Sequence, residues 1–303
     1  MINPSFTLTY DDINSFRKTG FLHLKQFYSD NFIEYIYKTI GNLISTPTDK
    51  YQSGFNRLAF DMYDGDHQLI ELLKDPHFHN IMKKLTGRTM FFAQALSFEL
   101  HKLKDKGFPW HIGTQSFGYQ KATDYGCTIW SPLVPIDPNN QRGGMAYVPK
   151  DKISGDFMYT HYDPSVFQVL QDKINNNELV TIDDFVHWRD GGLNDSAMKA
   201  LLEHFAVEDA FQPCDALIFD KYVIHRSVML EEGELDARAA FVMRFFDSES
   251  TYDHRRAQDL EIPRKYFGYS GPTLFHLAVA EKDGEKLINS SLFNNQVYRL
   301  LSQ

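Results

Sequence analysis

The chain is short of cysteine and of basic charge. Its 303 residues include only two cysteines, Cys127 and Cys214, and these do not form a C-x-x-C pair. This argues against a disulfide framework or a structural zinc site. Lysine and arginine total 31 against 40 acidic residues, giving a formal net charge of -9. Because nucleic-acid binding needs a basic surface to neutralise phosphates, we expect no nucleic-acid partner.

Long apolar stretches are also missing. No run of apolar residues is long enough to cross a bilayer. The opening residues, MINPSFTLTYDD, contain neither a basic nor an apolar segment of the kind that directs secretion. The sequence has no internal repeat and no low-complexity tract. We therefore expect a cytoplasmic protein without a membrane partner, built as a single domain over residues 1–303.

The first part of the chain, to about residue 88, has the pattern of a helical support. Apolar residues recur at helical spacing, and Gly20 and Gly87 follow two of the periodic stretches as helix stops. A short extended stretch comes directly after Gly20. Helices are expected at about 11–18, 29–44, 67–73 and 76–85.

After Arg88 the sequence changes to short β-prone runs separated by Gly, Pro, Asn and Asp. Their irregular spacing favours a jelly roll over alternating strands and helices. Residues of about 150–210 interrupt these runs with polar turns and helical stretches near 164–174 and 196–205, which predicts an inserted lid. The tail after Asp253 is expected to be irregular, with a late helix over about 287–301. The expected fold is mainly β with flanking helices, around a double-stranded β-helix core of the jelly-roll or cupin type.

Two histidines on expected strands stand out as metal ligands. His111 lies in WHIGTQSF, and His225 lies far downstream in FDKYVIHRSV. Two histidines and a carboxylate on one face form the ligand set of non-haem Fe(II) oxygenases. Either histidine alone is weak support for a metal site, because the chain contains 12.

Two arginines follow in the apolar run ARAAFVMRFF. Arg238 and Arg244 are six positions apart, so their side chains share one face of a strand. A buried arginine needs an anionic partner, and its planar fork suits the distal carboxylate of 2-oxoglutarate. A structural ion pair of Arg238 with Asp220 or Glu234 is the alternative.

Taken together, these segments resemble the phytanoyl-CoA dioxygenase branch of the iron- and 2-oxoglutarate-dependent oxygenases over nearly the whole chain. SFRKTGFLHLKQFYSDNFIEYI resembles the helix–strand–helix opening of that family. IWSPLVPIDPNNQRGGMAYVPKDK resembles its central segment, and PCDALIFDKYVIHRSV resembles the segment that carries the second histidine. The resemblance implies Fe(II), 2-oxoglutarate and O2 as cofactors, with His111 and His225 as iron ligands. It implies Arg238 as the anchor of 2-oxoglutarate and Arg244 as a second candidate.

Gly113 departs from the H-x-D or H-x-E pattern of that family. Glycine cannot ligate iron, so a coordination position stays open for another ligand. WHIGTQSFGYQ also resembles the halogenase domains of the curacin and jamaicamide pathways, which implies chloride at that position and chlorination of an unactivated carbon. Two other interpretations stay open: a hydroxylase that uses a water or a carboxylate from elsewhere, such as Asp124, and a protein that has lost catalysis.

The substrate and the partner are less defined. The halogenase resemblance implies a substrate tethered to an acyl carrier protein, and free amino acids or nucleotides are the alternative substrates. Carrier proteins are acidic, so a local basic face is needed, and it could come from Lys102, Lys104 and Lys106 or from Lys150 and Lys152. A non-catalytic jelly roll that binds a metabolite is the alternative from a different class.

Small polar residues near the expected metal complete the candidate site. Gln115, Ser116 and Thr128 could donate hydrogen bonds to 2-oxoglutarate or chloride. Ordinary sheet residues that face solvent would give the same pattern.

Overall fold

A computed structural model describes residues 1–46, 54–60, 66–114, 116–267 and 276–293. Within these ranges the α-helices, in chain order, are α1 (Tyr10–Thr19), α2 (Asp30–Leu43), α3 (His67–Lys74), α4 (Pro76–Thr86), α5 (Asp163–Asn175), α6 (Ile182–Asn194), α7 (Ser196–Phe205) and α8 (His254–Phe267). The strands are β1 (Phe21–Leu24), β2 (Arg57–Phe60), β3 (Met90–His101), β4 (Gly126–Pro132), β5 (Met145–Tyr147), β6 (Ala216–Asp220), β7 (His225–Ser227) and β8 (Ala237–Asp247). No helix in these ranges is long and apolar enough to span a membrane.

The N-terminal helices begin and end at residues whose chemistry sets their bounds. Thr9 and Asp12 form a reciprocal capping box at the start of α1, and Gly20 ends the helix at φ 84°. Asp75 caps α4 just before Pro76, and Gly87 ends it at φ 71°. These helices lie where the sequence pattern predicts them.

Two antiparallel sheets form the core. The larger has six strands in the order β1-β6-β4-β8-β3-β2, and the smaller pairs β5 with β7. Side chains alternate across the large sheet, so that Ile129 and Met243 face a cluster with the N-terminal helices, whereas Trp130 and Val242 face the small sheet. The space between the two sheets is therefore lined by one face of the central strands β4, β8 and β3.

Two helices differ from the predictions. The segment 150–210 contains α6 in addition to the predicted α5 and α7, together with a π-helical turn over Met158–Tyr162. The tail after Asp253, expected to be irregular, begins with α8, which the Asp253 side chain caps at the backbone N–H of Arg256. Of the late helix expected over 287–301, the described part is a 3-10 turn at Leu287–Asn289, and residues 294–301 lie outside the described ranges.

Candidate active site

His111 and His225 are brought together by an antiparallel β-bridge. The backbone N–H of His111 donates to His225 O at 2.9 Å, and the N–H of His225 donates to His111 O at 3.0 Å. Residues opposed in this way carry their side chains on the same side, and the ring centroids are 4.3 Å apart. The prediction that His111 lies on a strand is wrong, because only this isolated bridge forms and a turn follows from Gly113.

Both imidazole rings are held in the tautomer that can ligate a metal. His111 Nδ1 lies 2.8 Å from Pro109 O, and His225 Nδ1 lies 2.8 Å from Val223 O. A carbonyl only accepts hydrogen bonds, so each Nδ1 carries the proton and each Nε2 carries the lone pair. Burial lowers the pKa of His225 well below its ordinary value, and the neighbouring His111 and Arg244 side chains lower it further. The ring is therefore neutral, as a metal ligand must be.

The two rings open onto a cavity of about 100 Å³ between the sheets. Such a volume has room for several water molecules or a small organic anion. Strands of the large sheet supply one wall and the histidine bridge supplies the opposite wall. The lining of the cavity includes His111, Gly113, Thr128, Lys221, His225 and Arg244.

Gly113 lies beside the histidines, and bulky side chains surround the space where its Cβ atom would be. That atom would lie 2.9 Å from Phe117 Cδ2 and 3.5 Å from Tyr159 Oη. The ring of Phe117 is wedged between Gly113 and Gly126, both of which must lack a side chain for it to fit. Glycine at this position thus has a packing role.

In the part of the chain that the structure describes, no carboxylate joins the two histidines as a third metal ligand. No group of three His, Cys, Asp or Glu side chains there could hold a metal. Asp124, the carboxylate considered from the sequence, instead accepts from the N–H of Thr251 at 2.6 Å and from its hydroxyl at 3.1 Å. Among the described residues, the side chains near the cavity that could hold a metal are therefore the imidazoles of His111 and His225.

Arg238 is fully buried and has no carboxylate partner among the described residues. Its Nε donates to Gly143 O and its Nη2 donates to Gly144 O at 3.3 Å, whereas Nη1 has no hydrogen-bond partner. Burial lowers its pKa to about 9. Neither alternative ion pair forms, because Glu234 is exposed and Asp220 binds Lys150 at 2.5 Å.

Two aromatic rings separate Arg238 from the cavity. Its guanidinium carbon lies 5.3 Å from the ring centroid of Phe98 and 5.6 Å from that of Trp130, and both rings line the cavity. A buried guanidinium with an unsatisfied N–H is uncommon in folded proteins.

Arg244 lines the cavity itself. It lies opposite Thr128 in β4 and Gln94 in β3, and its Nη1 donates to Gln94 Oε1 at 2.6 Å. Arg238 and Arg244 share one face of β8, as predicted, but they are six positions apart along the strand, which separates them by about 20 Å. The two arginines therefore lie at opposite ends of the inner face of the sheet. Thr128 and Ser116 line the cavity together with Arg244. Gln115 lies outside the described residues.

Sequence reasoning missed two buried residues near the site. Lys221 lines the cavity and donates from Nζ to Lys121 O at 3.1 Å. Burial lowers its pKa well below the ordinary value, and Arg256 lowers it further. Its position in the core run DALIFDKYVIH was the available signal. Tyr159 lies in the π-helical turn, where no periodicity marks it.

Comparison with known proteins identifies the fold. No family profile and no curated protein matches the sequence. Among solved structures, the chain is similar to the non-haem α-ketoglutarate-dependent carbocyclase SnoK from nogalamycin biosynthesis (TM-score 0.58, 12% identity, 82% of this chain and 89% of that one). It is also similar to EctD from S. alaskensis with 2-oxoglutarate and 5-hydroxyectoine (TM-score 0.58, 15% identity, 94% and 87%). A third similar structure is EvdO2 from Micromonospora carbonacea var. aurantiaca with 2-oxoglutarate (TM-score 0.51, 17% identity, 89% and 99%). The chain therefore has the jelly-roll fold of iron- and 2-oxoglutarate-dependent oxygenases.

Proposed function

We propose that this protein is an Fe(II)- and 2-oxoglutarate-dependent halogenase that chlorinates an unactivated carbon. The proposal rests on one observation about three residues. His111 and His225 each present an Nε2 lone pair that can bind a metal, and Gly113 stands where a carboxylate ligand is expected. Iron with 2-oxoglutarate and O2 would supply the oxidising power to break a C–H bond. The protein's own side chains would bind the metal and 2-oxoglutarate, orient the substrate and exclude water.

Each residue has a separate task in this proposal. His111 and His225 would hold iron through Nε2, and their Nδ1–H bonds to backbone carbonyls keep both rings oriented. Arg238 would anchor the distal carboxylate of 2-oxoglutarate through its unsatisfied N–H, with Arg244 as the second candidate for this anion. Thr128, Ser116 and Gln115 are proposed to contact 2-oxoglutarate or chloride. Gly113 keeps a position open for chloride, which a carboxylate side chain would occupy.

Residues 150–210 are proposed to act as a lid over the substrate. Glu203 of α7 accepts from the indole N–H of Trp110 at 3.0 Å, so the insertion contacts the residue before His111. A cover placed there can exclude water and hold the reacting carbon near the halide. Such positioning decides whether the product carries chlorine or oxygen.

The test is anaerobic reconstitution with Fe(II) and 2-oxoglutarate, followed by titration with chloride at constant ionic strength. The metal-to-ligand charge-transfer band reports on the ligands of iron. We expect chloride to shift the band or to tighten 2-oxoglutarate binding. A normal band that ignores chloride would contradict the halogenase proposal.

A hydroxylase is the second candidate, and the likeness to EctD, whose structure holds 5-hydroxyectoine, favours it. In that case water would take the position beside Gly113. Turnover that incorporates oxygen from O2 with no chlorinated product identifies this activity. A protein that binds 2-oxoglutarate without consuming it would instead be a metabolite-binding module.

We further propose an acyl carrier protein as the partner that presents the substrate. The lysines considered for docking are partly neutralised: Lys102 lies 3.1 Å from Asp236, and Lys150 lies 2.5 Å from Asp220. Lys104 and Lys106 are exposed, and they are the lysines proposed to contact the acidic surface of the carrier protein. Turnover of a free acid or amino acid at the rate of its carrier-bound thioester would contradict this partner.

A further inference from the structure

Tyr159 is a buried tyrosine whose hydroxyl has no hydrogen-bond partner among the described residues. It lies in the π-helical turn Met158–Tyr162, directly before α5. Burying a hydroxyl without replacing its bonds to water opposes folding, so native structures rarely leave one unsatisfied. This hydroxyl therefore points to a ligand.

The hydroxyl lies close to Gly113, on the side where a side chain of residue 113 would begin. A Cβ atom built on Gly113 would lie 3.5 Å from Tyr159 Oη. A carboxylate on residue 113 would extend from that same point. An anion that replaces the carboxylate would therefore lie beside the hydroxyl, within reach of an O–H donor.

Neighbouring groups fix the position of the Tyr159 ring. Arg256 Nη1 donates to Tyr159 O at 3.0 Å, and its guanidinium carbon lies 5.1 Å from the ring centroid. Lys221 Nζ lies 4.8 Å from the same centroid. The acidic group nearby is Asp163, which accepts from the Thr114 hydroxyl at 2.9 Å and lies 3.8 Å from Arg256.

Burial keeps Tyr159 in its protonated form by raising its pKa well above the ordinary value, which Arg256 counteracts only in part. The phenol can therefore donate a hydrogen bond throughout the neutral range. A fixed, buried donor of this kind is suited to a small anion.

We propose that Tyr159 donates a hydrogen bond to the halide that occupies the position opened by Gly113. This inference rests on the proposed function, because it needs a halide at the metal. It adds a determinant of halide affinity from the 150–210 segment, at a residue beyond the metal ligands. Loss of this donor should weaken halide binding and leave the binding of Fe(II) and 2-oxoglutarate intact.

The experiment compares wild-type protein with Tyr159→Phe and Tyr222→Phe. Tyr222 is a matched control, since its ring lies 5.9 Å from that of Tyr159 but its hydroxyl donates to Ala122 O at 2.9 Å. Sodium chloride is titrated into each anaerobic Fe(II)–2-oxoglutarate complex while the charge-transfer band is followed. Thermal unfolding of the metal-free proteins is measured in parallel.

We expect Tyr159→Phe to raise the chloride dissociation constant by about tenfold to a hundredfold, the range for one hydrogen bond to a charged acceptor. Tyr222→Phe should leave that constant within about twofold of wild type. Metal-free Tyr159→Phe should melt no lower than wild type, because the hydroxyl removed has no partner.

The possible failures are distinguishable. A chloride-responsive wild type with an unchanged constant in Tyr159→Phe would overturn the inference and leave the halogenase proposal standing. A wild-type band that ignores chloride would overturn both. A Tyr159→Phe protein that loses 2-oxoglutarate binding as well would show a general role in the site and would refute a role specific to the halide.

Discussion

The side-chain amide of Asn194 pairs with the backbone of Trp110 much as a neighbouring strand would. Trp110 N donates to Asn194 Oδ1 at 3.2 Å, and Asn194 Nδ2 donates to Trp110 O at 2.9 Å. Trp110 immediately precedes His111, and Asn194 is the last residue of α6. The helical insertion is thereby tied to the segment that carries a proposed iron ligand.

Replacing Asn194 by alanine should loosen this segment. Loss of two hydrogen bonds is expected to lower the free energy of unfolding by about 1 to 3 kcal/mol. Fe(II) affinity should fall as well, because the two hydrogen bonds that hold Trp110, the residue before His111, would be lost. Asn175→Ala is the matched control, since Asn175 is exposed in α5 and contacts Gln171 only on the helix surface. Denaturant titration and metal titration check both effects, and equal Fe(II) affinity in the two variants would contradict this role.

Arg238 and Arg244 can be separated by their effects on 2-oxoglutarate affinity. Arg238→Ala removes a buried guanidinium that we propose pairs with the distal carboxylate. Removing one partner of a buried ion pair costs about 3 to 5 kcal/mol, so affinity should fall by at least about a hundredfold. Arg238→Lys keeps the charge and loses the fork, and should give an intermediate loss. Calorimetry under anaerobic conditions checks this, and a large loss confined to Arg244→Ala would move the anchor to Arg244.

Gly113→Asp should abolish the chloride response of the charge-transfer band, because the new carboxylate would take the open position. The substitution also crowds the Phe117 ring, which has a separate cost of about 1 to 3 kcal/mol. Gly113→Ala introduces the same crowding without a ligand, and should retain the chloride response. If the two variants lose that response equally, crowding and not coordination is the cause.

Lys221 should make stability depend on pH. Its folded-state pKa is lowered by burial, so the unfolded chain binds more protons between that pKa and the ordinary value of about 10.4. Stability contributed by this residue therefore rises with pH across that window. Lys221→Met should be more stable than wild type at low pH, and the difference should shrink as pH rises. Urea unfolding at several pH values measures it, and a difference that does not change with pH would exclude the effect.

The N-terminal helices could be predicted from local signals. Caps such as Thr9 with Asp12, and glycine stops such as Gly20, act over a few residues, so sequence alone contains them. Helix α6 has the same kind of signal, a capping box of Thr181 with Asp184, but a polar turn directly precedes it and the sequence pattern there favours a loop. Helix α8 contains Pro263 and lacks a clear apolar stripe, so its pattern predicts no helix.

The non-local part of the site could not be predicted in this way. The alternation along β8 predicts that Arg238 and Arg244 share a face, but only the arrangement of the sheets shows that Arg244 lines the cavity and Arg238 lies behind its aromatic wall. The approach of Tyr159 to Gly113 depends on the π-helical turn and on Arg256 from α8. Contacts of this kind follow from tertiary packing and leave no periodicity in the sequence.

The bridge between His111 and His225 joins segments on either side of the helical insertion. A metal ion bound to both rings would cross-link the chain there, much as a disulfide closes a loop, and would reduce the entropy of the unfolded state. Because neither histidine has the other beside it until the sheets close, the unfolded chain offers the ion no such pair. Metal uptake would then report the completion of folding, and metal-loaded protein should resist proteolysis longer than metal-free protein.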